Sequence, residues 1–403
     1  MPHTVSVPAP VNAHSHAFHR VLRGRTHHGG GDFWVWREQM YSAAAQLTPD
    51  AYQQLATAVY AEMVCAGYSA VGEFHYLHHQ PDGTPYPDHD MERALARAAK
   101  SVGIRLVLLD TLYLQGGLDA SGETIELNLL QRRFSDGDAQ NWASRWESLR
   151  EAIAEEDSDA GTVTLGAAVH SLRAVPADQL PVVTELIRKY PGAPVHIHLS
   201  EQPAENDAVQ AAYRRTPTEV LAEAGVLGTR LSAVHATHLT ASDIQLLGQS
   251  GTAVVMCPTT EADLADGIGP ARQLAAAGAE IALGSDQHAV IDPYLEMRAL
   301  EHGERLSSGA RGRFSPQQIA YAAREGGLRS LGMSENDDVI TVDSGSSRTS
   351  GSRPEQLPLT ATSADVVQVS IAGTVQAHHA AHTSLGDPAE LYRTFFTDHP
   401  EYA

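Results

Sequence analysis

Apolar residues recur along this chain in two rhythms whose alternation sets the first expectation of fold. Leu55, Val59 and Met63 fall about one helical turn apart, between the start signal Thr48-Pro49-Asp50 and the stop at Gly67, and predict a helix. Tyr68 to Phe74 then reads as a strand. The unit repeats. Helices are expected at Met91 to Val102, Trp142 to Glu156, Ala177 to Tyr190, Pro217 to Ala224, Ala241 to Gln249 and Pro270 to Ala277. Strands are expected at Ile104 to Asp110, Thr162 to His170, Pro194 to Leu199, Leu231 to His235, Thr252 to Met256 and Glu280 to Leu283. The extended stretch Val5 to Val11, with its two prolines, leads into Asn12-Ala13-His14-Ser15-His16 and supplies one more strand.

Strands separated by helices call for parallel pairing with right-handed crossovers. An open doubly wound sheet and a closed (β/α)8 barrel of the TIM type both satisfy that alternation. The polar positions choose between them. His14, His16, Glu73, His75, His170, His198, His235 and Asp286 all stand at or just past the ends of expected strands, which is where a barrel gathers its reactive residues. Two helices follow, Tyr294 to Ser307 and Pro316 to Leu331. Beyond Asp338 the character changes to Val339-Ile-Thr-Val, a Ser, Gly and Arg-rich stretch from Ser344 to Pro354, and an alternating strand, Asp365 to Gly373. The expected division is therefore a barrel over residues 1–337 and a small, reduced C-terminal β appendage with a short helix and tail over 338–403. The long loop Arg20 to Asp32 precedes Phe33-Trp34-Val35-Trp36-Arg37, whose aromatic rings could wall a pocket beside Arg37 or cap a surface turn.

Charge narrows the partners. Lys and Arg number 28 against 49 Asp and Glu among 403 residues, a formal net charge of −21, and such a surface repels phosphate backbones and anionic lipid. Nucleic acid and membranes are excluded as partners, and a small-molecule substrate is expected. An anionic substrate would need arginines that reverse the field locally. Cys65 and Cys257 lie far apart in apolar stretches and read as reduced core thiols. With no apolar run of membrane-spanning length and no signal-like start, the expected setting is the cytoplasm.

The chemistry lies in four stretches. His14 and His16 flank one residue, so in a strand both rings face the same side. His196 and His198 repeat the arrangement, with Glu201 three residues on; Ser232 to His238 adds His235 and His238, and Gly284-Ser285-Asp286 adds a carboxylate. Three imidazoles and one Asp suit one Zn²⁺ per chain, with Fe²⁺ chemically acceptable. A Glu outside the ligand set suits metal-assisted hydrolysis, taking a proton from activated water and returning it to a leaving group. These pieces fall on the first, fifth, sixth and eighth strands.

With these residues the chain resembles the amidohydrolase superfamily and, within it, the formimidoylglutamate deiminases of bacterial histidine degradation. His14-x-His16 and Asp286 carry the superfamily resemblance. Phe33-Trp-Val-Trp-Arg37, Glu73-Phe-His-Tyr-Leu-His-His79 and His170-Ser-Leu-Arg173 carry the narrower one. The resemblance implies hydrolysis of N-formimidoyl-L-glutamate to N-formyl-L-glutamate and ammonia by a metal-bound hydroxide. It assigns the metal to His14, His16, His198 and Asp286, proton transfer to Glu201, and orientation of the attacked centre to His235. Arg37, Tyr76, His170 and Arg173 would hold the anionic substrate, and a homodimer is implied.

Three departures stand out. His19 and Gln287, expected near the substrate, replace the family's Gln and Ser. The family's segment of some fifty residues before the first barrel strand has no counterpart here, so a reduced sandwich is expected. The alternative is a paralogue acting on another formimidoyl, amidino or amide compound, in secondary metabolism for example; a third reading is a non-catalytic metal-binding or ligand-binding barrel.

Overall fold

A computed structural model describes residues 3–27, 33–156 and 161–402. Eight parallel strands form its centre: Val11–Ser15, Ala70–His75, Arg105–Leu112, Val163–Val169, Val195–Leu199, Leu231–His235, Ala253–Met256 and Glu280–Leu283. They pair in chain order. The ring closes where Ser15 meets Asp286, through His16 N–H to the Asp286 carbonyl (3.0 Å) and Asp286 N–H to the His14 carbonyl (3.0 Å). Five of these strands are buried at every residue, as parallel strands must be when side chains fill one face and helices cover the other. The expected (β/α)8 barrel is the observed one.

Closure needs glycine at the seam. A Cβ on Gly284 would lie 2.7 Å from the His14 Cβ and 2.9 Å from its carbonyl oxygen, so only a residue without a side chain lets the eighth strand run beside the first metal-ligand candidate. Below, the expected helix Pro316 to Leu331 is broken by a π-turn at Ala322–Gly326. It presses Gly326 against the Ile281 backbone, where a Cβ would overlap the carbonyl oxygen. Ser330 then enters the barrel floor, and its carbonyl accepts from His196 Nε2 (3.0 Å).

Helices that were not read from the sequence include Phe33–Gln46, Pro203–Tyr213 and Pro258–Asp263, and the single turn Leu357–Thr360 in the appendage. The first turns the Phe33 to Tyr41 stretch into a helix lying over the barrel mouth. Of the expected loop Arg20 to Asp32, Arg20 to Leu22 belong to a 3₁₀ helix, Ala17–Leu22, and residues 28–32 lie outside the described residues.

A second, antiparallel sheet runs in the order Thr4–Pro8, Val339–Asp343, Val366–Ile371, Thr374–His378, Ala381–His382. Its edge strand Thr4–Pro8, expected within the barrel unit, pairs instead with Val339–Asp343. Pro8 and Pro10 interrupt the strand there and divide it from Val11–Ser15. Bidentate pairing of Arg105 with Asp338 (2.7 and 3.1 Å) ties this sheet to the barrel, and helix Pro388–Asp398 packs on barrel helix Pro49–Ala66.

Candidate metal centre and active site

At the C-terminal mouth of the barrel three imidazole nitrogens and a carboxylate oxygen converge. His198 Nε2 is 3.2 Å from His14 Nε2 and 3.3 Å from His16 Nε2, and Asp286 Oδ1 is 3.4 Å from both His14 Nε2 and His16 Nε2. Backbone carbonyls fix two of the tautomers. His16 Nδ1 donates to the Phe74 carbonyl (2.9 Å) and His198 Nδ1 to the His170 carbonyl (2.9 Å), which leaves both Nε2 atoms as lone pairs aimed at one another. Burial holds His16 down to about 3, and His14 and His198 also well below the usual range, so neither nitrogen gains a proton to bridge the gap. Two lone pairs at 3.3 Å repel unless a cation lies between them. Ligand bonds of about 2.0–2.2 Å at near-tetrahedral angles give just such separations, so the donor set fits one divalent ion.

The strand end carrying His14 and His16 is held by a buried chain of hydrogen bonds. Glu73 accepts from Ser15 Oγ (2.6 Å) and Ala17 N–H (2.6 Å). Ser15 Oγ and Ser285 Oγ each lie 3.0 Å from a ring nitrogen of His288, and Asn12 Nδ2 donates to Ser285 Oγ (2.7 Å). The chain links the first, second and eighth strands, and such partners orient metal ligands.

Glu201 and His235 complete the mouth. Glu201 Oε1 lies 3.6 Å from His235 Nε2, whose Nδ1 faces Glu261 at 3.5 Å. Burial pushes the Glu201 carboxyl up to about 7 against the pull of His235 and Arg173. Burial opposes charge on His235, yet Glu201, Glu261 and Asp286 together carry it up to about 10. A carboxyl poised near neutrality can both accept and return a proton.

The amidohydrolase family profile matches residues 5–343. The chain belongs to the amidohydrolase family. It is 37% identical to a formimidoylglutamate deiminase of Pseudomonas aeruginosa over 81% of this chain and 72% of that protein. Its fold superposes with a TM-score of 0.88 on an amidohydrolase from Brucella melitensis, 32% identical, covering 99% of this chain and 90% of that one. A TM-score of 0.83 relates it to an adenosine deaminase from Xanthomonas campestris with bound zinc, 22% identical over 99% and 86% of the two chains. As an amidohydrolase the protein is a metal-dependent hydrolase of C–N bonds acting on a small molecule. Among the described residues no helix is long and apolar enough to cross a membrane.

This amidohydrolase opens its site into a cavity lined by His16, His19, Arg37, Tyr76, His170, Arg173, His198, Glu201, His235 and Asp286, together with Phe33, Trp36 and Met40 of the covering helix. Arg173 is buried, its Nη2 3.6 Å from Glu201 Oε2 and its Nε 3.7 Å from Glu205 Oε2. Arg37 stacks 4.6 Å above the Trp34 ring. His19 Nε2 bonds Tyr76 Oη at 3.0 Å, and the His19 ring lies 4.4 Å from that of His16. Gln287, expected at the substrate, does not line the cavity: its amide donates to Asp263 (2.8 Å). His238 is likewise spent on the Asp266 carbonyl (2.8 Å). His75 points to a separate buried cluster with His78 and Glu92. That cluster is closed by Arg145, which donates to Glu92 (3.2 Å) and Asp110 (2.8 Å), while His78 spends its nitrogens on Glu92 and the Thr111 carbonyl.

Sequence reasoning missed Tyr41, Tyr113, Glu205 and Glu261. Glu205 and Glu261 each lie four residues beyond a strand-end position, Glu201 and Cys257, and return to it: Glu205 accepts from Glu201 N–H and Glu261 from Cys257 N–H. A carboxylate at that offset after a strand end was the available signal.

Proposed function

We propose that this amidohydrolase converts N-formimidoyl-L-glutamate and water to N-formyl-L-glutamate and ammonia. The observation that carries the reading is the pair of guanidiniums, Arg37 and Arg173, in the cavity that also holds the converging donors, on a chain of net charge −21. Two positive groups beside a site in so acidic a protein suit a substrate with carboxylates. In this reading His14, His16, His198 and Asp286 hold one Zn²⁺, with Fe²⁺ as the other acceptable ion. The ion supplies the positive charge that acidifies a water and stabilises charge developing at the attacked carbon.

The remaining work falls to side chains. Glu201 takes a proton from the attacking water as the new C–O bond forms and passes it to the imino nitrogen, then carries the remaining hydroxyl proton to that nitrogen as the C–N bond breaks, the formyl C=O forms and ammonia leaves. His235, held by Glu261, presents Nε2 toward Glu201 and Asp286 and orients the adding oxygen. Arg173 and Arg37 bind carboxylate, with Tyr76 and His170 as further donors, and the covering helix limits access of bulk water. A place in histidine degradation, a cytoplasmic setting and a homodimer belong to the same proposal.

A second reading, a paralogue taking another formimidoyl, amidino or amide compound, is favoured by His19. Its buried ring sits beside His16 and Tyr76, at the expected reacting end. The mechanism is tested by Glu201→Gln. We expect ammonia release to fall by about 10²–10⁴-fold while bound metal, measured by atomic emission, stays at one ion per chain; near-normal turnover contradicts the role of Glu201.

A further inference from the structure

A count of hydrogen-bonding protons around the Tyr41 and Tyr113 hydroxyls leaves one over. Tyr113 follows the third barrel strand; Tyr41 lies on the covering helix one turn beyond Arg37, on the same face. Both rings line the cavity, and both are buried. Between them lies Gln131. Its Oε1 accepts from Asn128 N–H (3.0 Å), which fixes the amide so that Nε2 faces Tyr113 Oη (2.9 Å), Tyr41 Oη (3.1 Å) and the Gly116 carbonyl (3.2 Å). However the two amide protons are shared among these acceptors, they occupy hydroxyl lone pairs and leave the hydroxyl protons unassigned. The only acceptor for either phenolic proton among the described residues is the other hydroxyl, at 3.4 Å. That contact uses one proton. The second has no acceptor among the described residues and borders a cavity that also holds Arg37 and Arg173. Burial keeps the Tyr113 phenol well above its usual range, so it remains a donor.

We propose that Tyr41 and Tyr113, preset by Gln131, form a carboxylate-binding subsite that acts beside the two arginines and reads the second carboxylate of a dicarboxylate substrate. The inference rests on the proposed function for the identity of that substrate. It adds a distinctive expectation. In Tyr41→Phe or Tyr113→Phe the surviving hydroxyl loses its mutual contact, and its own proton is freed for the anion. Each single variant therefore keeps one donor, and only the double variant loses both.

The test measures glutarate binding to the metal-loaded protein by calorimetry, together with KM and kcat for N-formimidoyl-L-glutamate. Each single variant should weaken glutarate less than about threefold, whereas the double variant should weaken it at least about tenfold and raise KM alike, with kcat within about threefold; the loss is that of a hydrogen bond to a charged group. Circular dichroism and thermal midpoints confirm that the variants fold. Unchanged glutarate affinity in a folded double variant overturns the subsite, as does a parent protein that does not bind glutarate. A parent that binds glutarate in this tyrosine-dependent way but does not turn over N-formimidoyl-L-glutamate leaves the subsite standing and overturns the proposed substrate.

Discussion

Asp136 shows how far single residues in this barrel depend on a buried partner. Its carboxylate accepts from Arg145 Nε (2.8 Å) and faces His79 Nε2 (3.0 Å). Burial alone would raise its pKa, but Arg145 and the histidines outweigh that and hold it well below the usual carboxylate range. A depressed folded value contributes stability that is present above about pH 4, the unfolded value, and is lost as pH falls through the folded one. We expect Asp136→Asn to cost about 3 kcal/mol at pH 7, and the gap from the parent in urea-denaturation midpoints to narrow as pH drops toward 2. A gap that widens in acid would contradict the pairing. His78 has the opposite sign: burial and Arg145 oppose its charge, yet Asp110 and Glu92 raise its pKa. Its contribution is complete below about pH 6.5 and is lost as pH rises through the folded value. Residues of this kind are hard to see in a sequence. The metal donors were legible because strand periodicity puts His14 with His16 on one face; Tyr113 and Gln131 belong to no pattern, since the amide that unites them with Tyr41 is set by tertiary packing.

At the scale of elements, most of the repeated helix and strand units were legible from their apolar spacing, whereas helix Phe33–Gln46 was not read although it buries Phe33, Trp36, Met40, Tyr41 and Ala44. Helix Pro203–Tyr213 buries only Glu205, Ala208 and Val209, and Pro258–Asp263 only Thr260 and Glu261, so neither shows a stripe. Their prolines in the first turn were the remaining signal. The π-turn at Ala322–Gly326 is invisible locally for another reason: it exists because Gly326 must approach the Ile281 backbone beneath the eighth strand. Gly326→Ala should therefore destabilise the fold by about 1–3 kcal/mol through overpacking, where alanine would ordinarily favour a helix. Equal or greater stability in urea denaturation would contradict this account of the π-turn.

For the whole molecule, the barrel could be inferred from the way reactive residues gather at one end of successive strands. The second sheet could be inferred only in part, because Thr4–Pro8 pairs with Val339–Asp343 across most of the chain and alternation within a strand does not name its partner. The same scale frames the electrostatics: a chain of net charge −21 would repel a dianionic substrate at long range, and the guanidiniums the cavity offers such a substrate are Arg37 and Arg173. The most direct test of the account is therefore ammonia release by the zinc-loaded protein from N-formimidoyl-L-glutamate, beside N-formimidoyl-L-aspartate, N-formimidoylglycine and guanine. We predict fast turnover of the glutamate compound, abolished by chelation and restored by zinc. No turnover of it with one metal ion bound per chain, or faster turnover of another compound of the set, would contradict the assignment and direct attention to the pocket around His19.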